Sequence, residues 1–223
     1  DTNYNRDAAA ADEYLKINIK YWPGDRSEWS QSVYIHKMLS RYGYDISSLK
    51  PCSLPMSKSA ANDICASSCP ATPEERDVVL KTLKDRKLVK PGVNWLEAVR
   101  QYRSVTAACN WLALTTMGVI SFATSRLASI QHSPTVEGFI AMKKLLRFIA
   151  GRRDHVLTFR RGGDSSIVLY GESDASFGDQ THDNGHSQMA MALRIGENNA
   201  PFMWSSKRTP FVAISSFGSE LMG

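Results

Sequence analysis

Two acidic residues near the end of the 223-residue chain are the first candidates for chemistry. Asp174 ends an apolar, strand-like run, and Glu220 lies where a helix is predicted to begin. Carboxylates suit Mg²⁺, and several of them holding two cations about 3.5–4 Å apart can hydrolyse a phosphodiester. A simpler explanation for the presence of these two acids is local electrostatics, because an acid near a helix start interacts favourably with the helix dipole.

The segment 167–220 contains the elements that would position these acids. Three short apolar runs predict antiparallel strands, and Ser215 and Ser216 are typical caps for a following helix. Such a sheet must bury its apolar face against another layer, and an exposed last strand invites pairing with a partner. We expect the cover to come from further residues, from helices predicted within 72–150, or from another protein.

Basic residues follow a helix that is predicted to start at Ser133 and Pro134. They occupy its outer side and continue beyond its end: Lys143, Lys144, Arg147, Arg152, Arg153, Arg160 and Arg161. Two interpretations are open, an ordinary solvated surface or a surface that follows the phosphates of RNA or an RNA–DNA hybrid. The net charge of +5 is compatible with either one.

The rest of the chain mixes strand and helix signals, which predicts an α+β fold. A strand over 14–21, a turn at Pro23 and Gly24 and a returning strand over 29–34 form a predicted hairpin. A helix then ends at Gly43, and residues 57–71 are interpreted as a loop. Thr72 to Glu75 predict a capped helix start, and two longer helices are predicted over 102–116 and 120–130.

Composition excludes several classes of protein. No apolar run approaches the roughly 20 residues of a membrane helix, so no membrane span is expected. Four cysteines do not form a disulfide scaffold, and Cys65 and Cys69 lack a second pair of zinc ligands. We therefore expect free thiols and a reducing, intracellular compartment, or an organelle if a transit peptide was removed.

An ordered series of short phrases resembles the polyprotein of copia-type LTR retrotransposons, from the end of the reverse transcriptase into the ribonuclease H domain. The phrases are Tyr14-Leu-Lys-Ile-Asn-Ile, Ser30-Gln31-Ser-Val-Tyr34-Ile35, Lys50-Pro51, Leu54-Pro55-Met56, Tyr102-Arg103-Ser104-Val105, Asn110-Trp111-Leu112-Ala113, Ile120-Ser121-Phe122-Ala123, Lys144-Leu-Leu-Arg147-Phe, Tyr170-Gly-Glu-Ser173-Asp174-Ala175, Trp204-Ser-Ser-Lys207-Arg208 and Val212-Ala-Ile-Ser215-Ser216. The series covers about residues 12–223.

The resemblance implies an arrangement and a partial site. Residues 1–11, polar and then alanine-rich, are interpreted from their composition as a tail or a helical arm. The resemblance implies a primer-gripping hairpin and thumb-like segment over 12–60, and an insertion over 61–99. It further implies a helical connection over 100–160 and a partial ribonuclease H-like domain, with three strands and a first helix, over 165–223. Asp174 and Glu220 match two Mg²⁺-binding nuclease positions. No cofactor is expected for the chain as given, and Mg²⁺ is expected only if further carboxylates complete the site.

The chain also departs from the family's pattern. The aspartates that hold Mg²⁺ for polymerisation lie upstream in the family and are absent here. Met117-Gly118-Val119 stands where the family favours Arg-Pro-Asp. Ser176-Phe177 replaces an acidic-aromatic step, and Phe217-Gly218-Ser219 replaces Thr-Glu-Ala. These departures suggest relaxed or redirected constraint.

Three interpretations remain open from the sequence. The chain is part of an active polyprotein that binds and cleaves RNA–DNA hybrids, a domesticated non-catalytic subunit that binds other proteins or structural RNA, or a decayed copy. Half a metal site performs no chemistry, which favours the second interpretation for the polypeptide as given. Other protein subunits are then the expected cover of the open sheet.

Overall fold

The computed structural model describes residues 11–44, 49–161, 167–176 and 186–212. Within them the chain forms helices and two antiparallel sheets, which confirms the predicted α+β class. The predicted tail up to residue 10 and the predicted helix with Ser215, Ser216 and Glu220 lie outside the described residues.

The first sheet, sheet A, joins the N-terminal hairpin to a strand that follows the last described helix. Its strands, all antiparallel and in spatial order, are β1 (Ala11–Tyr14), β2 (Ile17–Trp22), β3 (Arg26–Ser30) and β4 (Val156–Arg160). Gly24 has a φ of +78°, which glycine adopts readily, and the Asp25 amide closes the turn on the Trp22 carbonyl at 3.1 Å. The predicted hairpin and its turn are therefore present, but the predicted strand bounds were wrong. Leu15 and Lys16, both with positive φ, form a turn before β2, and the returning strand ends at Ser30 because α1 begins at Ser32.

Helices supply the main core, and we call them together the helical layer. They are α1 (Ser32–Arg41), α2 (Lys58–Ala66), α3 (Pro73–Asp85), α4 (Trp95–Thr115), α5 (Ser121–Ser129) and α6 (Val136–Gly151), with a 3-10 turn (Gly118–Ile120) before α5. Tyr102 and Phe139 are fully buried, with ring centroids 5.0 Å apart. The Tyr102 hydroxyl donates to the Leu127 carbonyl at 3.1 Å, so its one polar group is satisfied inside the core.

Side-chain caps fix several helix starts. Thr72 and Glu75 form the predicted capping box of α3. Asn94 and Glu97 form a second capping box at α4, which the sequence interpretation missed. The start of α6 was predicted two residues early, because Thr135 is the residue whose hydroxyl accepts the Gly138 amide.

The predicted loop over 57–71 is wrong in its first half. Ser57 caps α2 by accepting the Ala60 amide at 3.2 Å, and Ala60, Ala61 and Ile64 are buried on one side of the helix. Small residues at helical spacing here let α2 pack closely against α6. The abundance of serine, alanine and cysteine concealed this amphipathic pattern.

The second sheet, sheet B, contains the three predicted strands. They are β5 (Leu169–Ala175), β6 (His186–Ile195) and β7 (Met203–Val212), antiparallel and in that spatial order. The register aligns Glu172, Ala192 and Trp204 in one row across the sheet, and Asp174, Ala190 and Ser206 in another. These two rows share one face because they are two residues apart, and we call it the inner face.

The inner face packs against the helical layer. The Trp204 indole donates a hydrogen bond to the carbonyl of Ala113 near the end of α4, and β7 contacts α5. Part of the cover of sheet B therefore comes from helices of the same chain, which is one of the three alternatives that the sequence left open.

Candidate functional site

Asp174 lies beside a cavity between the inner face of sheet B and the helical layer. The cavity measures about 580 Å³. Its apolar lining includes Val119, Phe122, Leu157, Pro201 and Trp204, and its polar lining includes His155, Glu172, Asp174 and several serines. The structure thus places one of the two predicted site acids at the edge of this cavity.

The two acids of β5 differ in their partners. The Glu172 carboxylate forms an ion pair with Arg194, with 2.7 Å between its Oε1 and the guanidinium Nη2. The Arg194 guanidinium also lies 5.7 Å from the Tyr170 ring centroid. Among the described residues, none forms an ion pair or hydrogen bond with the Asp174 carboxylate. Asp174 also lines a smaller cavity of about 370 Å³, which Lys58 of α2 lines as well.

The described residues do not form a two-metal site by themselves. Within the described ranges no group of three or more His, Cys, Asp or Glu residues could hold a metal ion. Asp174 is one carboxylate without a partner there, Glu172 is already paired with Arg194, and Glu220 lies outside the described residues. Two-metal hydrolysis needs several carboxylates around both cations.

His155 is a lining residue that the sequence interpretation missed. Burial lowers the pKa of its imidazole, the nearby Arg152 charge lowers it further, and a hydrogen bond with the backbone of Thr116 acts in the opposite direction. The imidazole is therefore neutral at pH 7. A single histidine beside a basic run has no ligand spacing, so no sequence signal marked it.

A close approach between Trp204 and Gly118 fixes one wall of the cavity. A Cβ at Gly118 would lie only 2.7 Å from Nε1 of the indole, so a side chain there would push the ring away. The absence of a side chain at Gly118 therefore lets Trp204 reach the helical layer.

The seven predicted basic residues, which we call the basic surface, follow α6 and β4. Lys143 and Arg147 are half-buried, and the other five are exposed: Lys144, Arg152, Arg153, Arg160 and Arg161. Arg147 donates to the Lys50 carbonyl at 2.6 Å, which links α6 to the segment after α1. Arg152 lies 4.1 Å from the Phe148 ring centroid, and Arg153 pairs weakly with Asp154 at 3.5 Å. Arg147 therefore has a structural contact, whereas most of the others present their charge to solvent.

Aromatic residues adjoin the basic surface at one end of sheet A. Arg160 lies directly opposite Arg26, whose guanidinium is 4.1 Å from the Trp22 ring centroid. Arg26 also pairs with Asp25 at 2.6 Å and with Glu28 at 2.9 Å, which offsets part of its charge. The sequence interpretation did not single out Trp22 or Arg26, because strand register is needed to bring them beside β4.

Comparison with known proteins identifies the relatives of this chain. It is 32% identical over 120 residues, 54% of its length, to the retrovirus-related Pol polyproteins of transposons RE1 and RE2 from Arabidopsis thaliana. It is 24% identical over 216 residues, 96% of its length, to the retrovirus-related Pol polyprotein of transposon TNT 1-94 from Nicotiana tabacum. The chain is homologous to copia-type retrotransposon Pol polyproteins. The resemblance proposed from the ordered phrases is thereby confirmed.

The chain spans a small part of these relatives, 8% of the RE1 and RE2 polyproteins and 14% of the TNT 1-94 polyprotein. It is also 29% identical over 119 residues to an uncharacterised mitochondrial protein of Arabidopsis thaliana, 47% of whose length it covers. No family model and no solved structure matches it. Within the residues that the structure describes, no helix combines the length and apolar content needed to cross a membrane.

Proposed function

We propose that this retrotransposon-derived chain is a non-catalytic module that binds RNA, or an RNA–DNA hybrid, within a larger assembly. The observation that carries the proposal is the basic surface, five of whose seven side chains are exposed along α6 and β4. Lysine and arginine bind phosphates independently of base sequence and release counterions when they do so. Relatedness to Pol polyproteins supports a nucleic acid as the polyanion.

The surroundings of Asp174 favour binding without cleavage. The carboxylate is exposed on the inner face of sheet B. Within the part of the chain that the structure describes, no group of three or more His, Cys, Asp or Glu residues could hold a metal ion beside it. The other described acid on this face, Glu172, is held by Arg194.

The family relationship supports assignments for parts of the chain. We infer that residues 12–60 correspond to the polymerase's primer-gripping hairpin and thumb start, and 165–223 to the first part of a ribonuclease H-like domain. The antiparallel order of β5, β6 and β7 is compatible with the second assignment. An experimental structure of the chain, overlaid on a copia-type polymerase, tests both.

Exposed apolar residues support the assembly part of the proposal. They gather where β5 begins and where β6 meets β7: Ile167, Val168, Leu169, Ile195, Phe202 and Met203. Neighbouring apolar side chains of this kind are typical of an interaction site. Native mass spectrometry of protein from its own source should show a stoichiometric protein partner that survives high salt, whereas a lone chain would contradict this part.

The binding experiment compares variants with equal charge change. Fluorescence anisotropy with RNA and with an RNA–DNA hybrid, between about 50 and 200 mM salt, should give affinities that fall linearly on a log–log plot. Arg160→Gln with Arg161→Gln should weaken binding roughly tenfold and reduce the salt slope. Lys81→Gln with Lys84→Gln, on exposed positions of α3, removes the same charge elsewhere and should have little effect. Equal losses of RNA affinity in both double variants would contradict binding through the basic surface.

A second candidate function is hybrid cleavage with Mg²⁺. The observation that favours it is the Asp174 carboxylate, which has no described partner and matches a nuclease position of the family, as Glu220 does. Mg²⁺-dependent cleavage of an RNA–DNA hybrid that disappears in Asp174→Asn would establish this alternative and refute the non-catalytic reading. Chelator-resistant cleavage, or cleavage by Asp174→Asn, would indicate a contaminating nuclease.

A further inference from the structure

The cavity beside Asp174 has the size and lining of a ligand site. Its volume of about 580 Å³ lies within the range of small-molecule pockets, roughly 300–1,000 Å³. Its walls are mainly apolar, and His155, Glu172, Asp174 and several serines supply polar groups. The proposed RNA binding through the basic surface gives this cavity no role.

Two aromatic side chains form preorganised walls. Trp204 is held by its hydrogen bond to the Ala113 carbonyl and by its contact with Gly118. Phe122 comes from α5, and its ring lies 5.6 Å from the buried Arg126 guanidinium. A flat, unsaturated ring is suited to such walls, because aromatic faces contribute stacking and apolar burial together.

The charges around the cavity select a ligand with N–H donors. His155 is neutral at pH 7, since burial and the neighbouring Arg152 lower its pKa, and Glu172 is paired with Arg194. Asp174 is therefore the carboxylate of the described lining that has no partner among the described residues. An ionised carboxylate only accepts hydrogen bonds, so it repels a phosphate and binds N–H groups.

The basic surface and the cavity lining are close along the chain at His155. His155 lines the cavity, and the exposed Arg152 and Arg153 precede it by three and two residues, respectively. The Arg152 charge acts on His155, which places the guanidinium near this wall. These arginines are the described cations nearest in sequence to the lining that can bind the phosphate of a nucleotide whose base enters the cavity.

We propose that the cavity binds one unpaired guanine of the bound RNA, with its ring against Phe122 and Trp204 and its Watson–Crick edge on Asp174. Guanine presents two adjacent donors there, N1–H and the N2 amino group, which pair with both carboxylate oxygens. Adenine and cytosine present one amino donor beside an acceptor, and uracil one N–H between two acceptors. The inference rests on the proposed function, because RNA supplies the base.

Guanosine and inosine form a matched pair of probes, because they differ only in the N2 amino group. Isothermal titration of the full chain should show guanosine binding roughly tenfold more tightly than inosine, as expected for one lost bidentate contact. Asp174→Asn should remove that difference. Glu172→Gln, two residues away on the same strand face, should retain it because Glu172 already pairs with Arg194.

A second variant tests the cavity without changing charge. Ala192 lines it, and Ala192→Leu should abolish guanosine binding while circular dichroism and thermal unfolding show an intact fold. Absence of guanosine binding, equal binding of guanosine and inosine, or a preference that survives Asp174→Asn would overturn the inference. If one of these results is obtained while RNA binding remains salt-dependent, the guanine site is refuted and the proposed RNA-binding function still stands.

Discussion

The helical layer and sheet B bury their side chains to different extents. The helical layer surrounds fully buried residues such as Tyr102, Phe139 and Phe148, and two of its helices start with complete capping boxes. Sheet B has few buried side chains among its described residues, and Leu169 and Met203 are 59% and 49% exposed. The helical layer can therefore stabilise itself, whereas sheet B depends on what it contacts.

Trp204 and its neighbours connect the two regions. Its indole reaches the backbone of α4, and Gly118 leaves room for the ring. We therefore expect perturbations of the helical layer to unfold the whole chain and perturbations of this contact to release sheet B. The predictions below test that difference, from the largest expected effect to the smallest.

Truncating the core of the helical layer should have the largest effect. Phe139→Ala leaves a cavity beside the Tyr102 ring and should lower the free energy of unfolding by about 3–5 kcal/mol. Leu169→Ala, on exposed β5, should change it by less than about 0.5 kcal/mol. Urea unfolding checks both. Equal losses of unfolding free energy in the two variants would mean that sheet B contributes as much to stability as the helices do.

Adding a side chain at Gly118 should detach sheet B. Gly118→Ala places a methyl group against the indole and should cost about 1–3 kcal/mol. Hydrogen exchange should rise in β5, β6 and β7 while α4 stays protected. Val119→Ala, at an exposed position of the same turn, is the matched control and should leave exchange unchanged. If hydrogen exchange in Gly118→Ala becomes faster in α4 as much as in β5, β6 and β7, sheet B and the helical layer do not unfold separately.

Removing a helix cap should weaken the helical layer moderately. Asn94→Ala removes the side chain that accepts the Glu97 amide at 2.9 Å and should cost about 1 kcal/mol in chemical unfolding. Asn94→Asp keeps an acceptor and should restore most of the loss. If both variants lose the same stability, the cap geometry at α4 is not what stabilises it.

Acid should destabilise the protein slightly through His155, which lies where β4 meets the cavity. Its folded-state pKa is lowered by burial and by Arg152, below the ordinary 6.5. The unfolded state therefore binds the proton more tightly, so this stabilisation is present above about pH 6.5 and is lost as pH falls below it. His155→Gln should flatten the stability profile in that window, and exposed His132→Gln should not.

Much of the fold was predictable from local patterns. The hairpin, the strands of sheet B and the capping box at Thr72 follow from alternation, turn residues and a short cap motif, which act over a few residues. The helix over Lys58–Ala66 was missed because its small residues resemble a loop until α6 supplies the surface they pack on. Long-range partners of this kind are not encoded in local periodicity.

The candidate site was less predictable than the fold. Asp174 was found through the ordered phrases, but the cavity beside it depends on how β5 meets α5, which no local signal specifies. His155, Trp22 and Arg26 were missed because each acquires its neighbours only through tertiary packing or strand register. Conversely, Arg147 was predicted to bind phosphates, and the structure gives its guanidinium a partner in the Lys50 carbonyl.

The most direct test of the proposed function measures binding and cleavage of one RNA–DNA hybrid in the same tube with Mg²⁺. We predict salt-dependent binding of a hybrid that stays intact, and weaker binding of the variant with Arg160→Gln and Arg161→Gln. Cleavage that is lost in Asp174→Asn, or no binding at low salt, would contradict it.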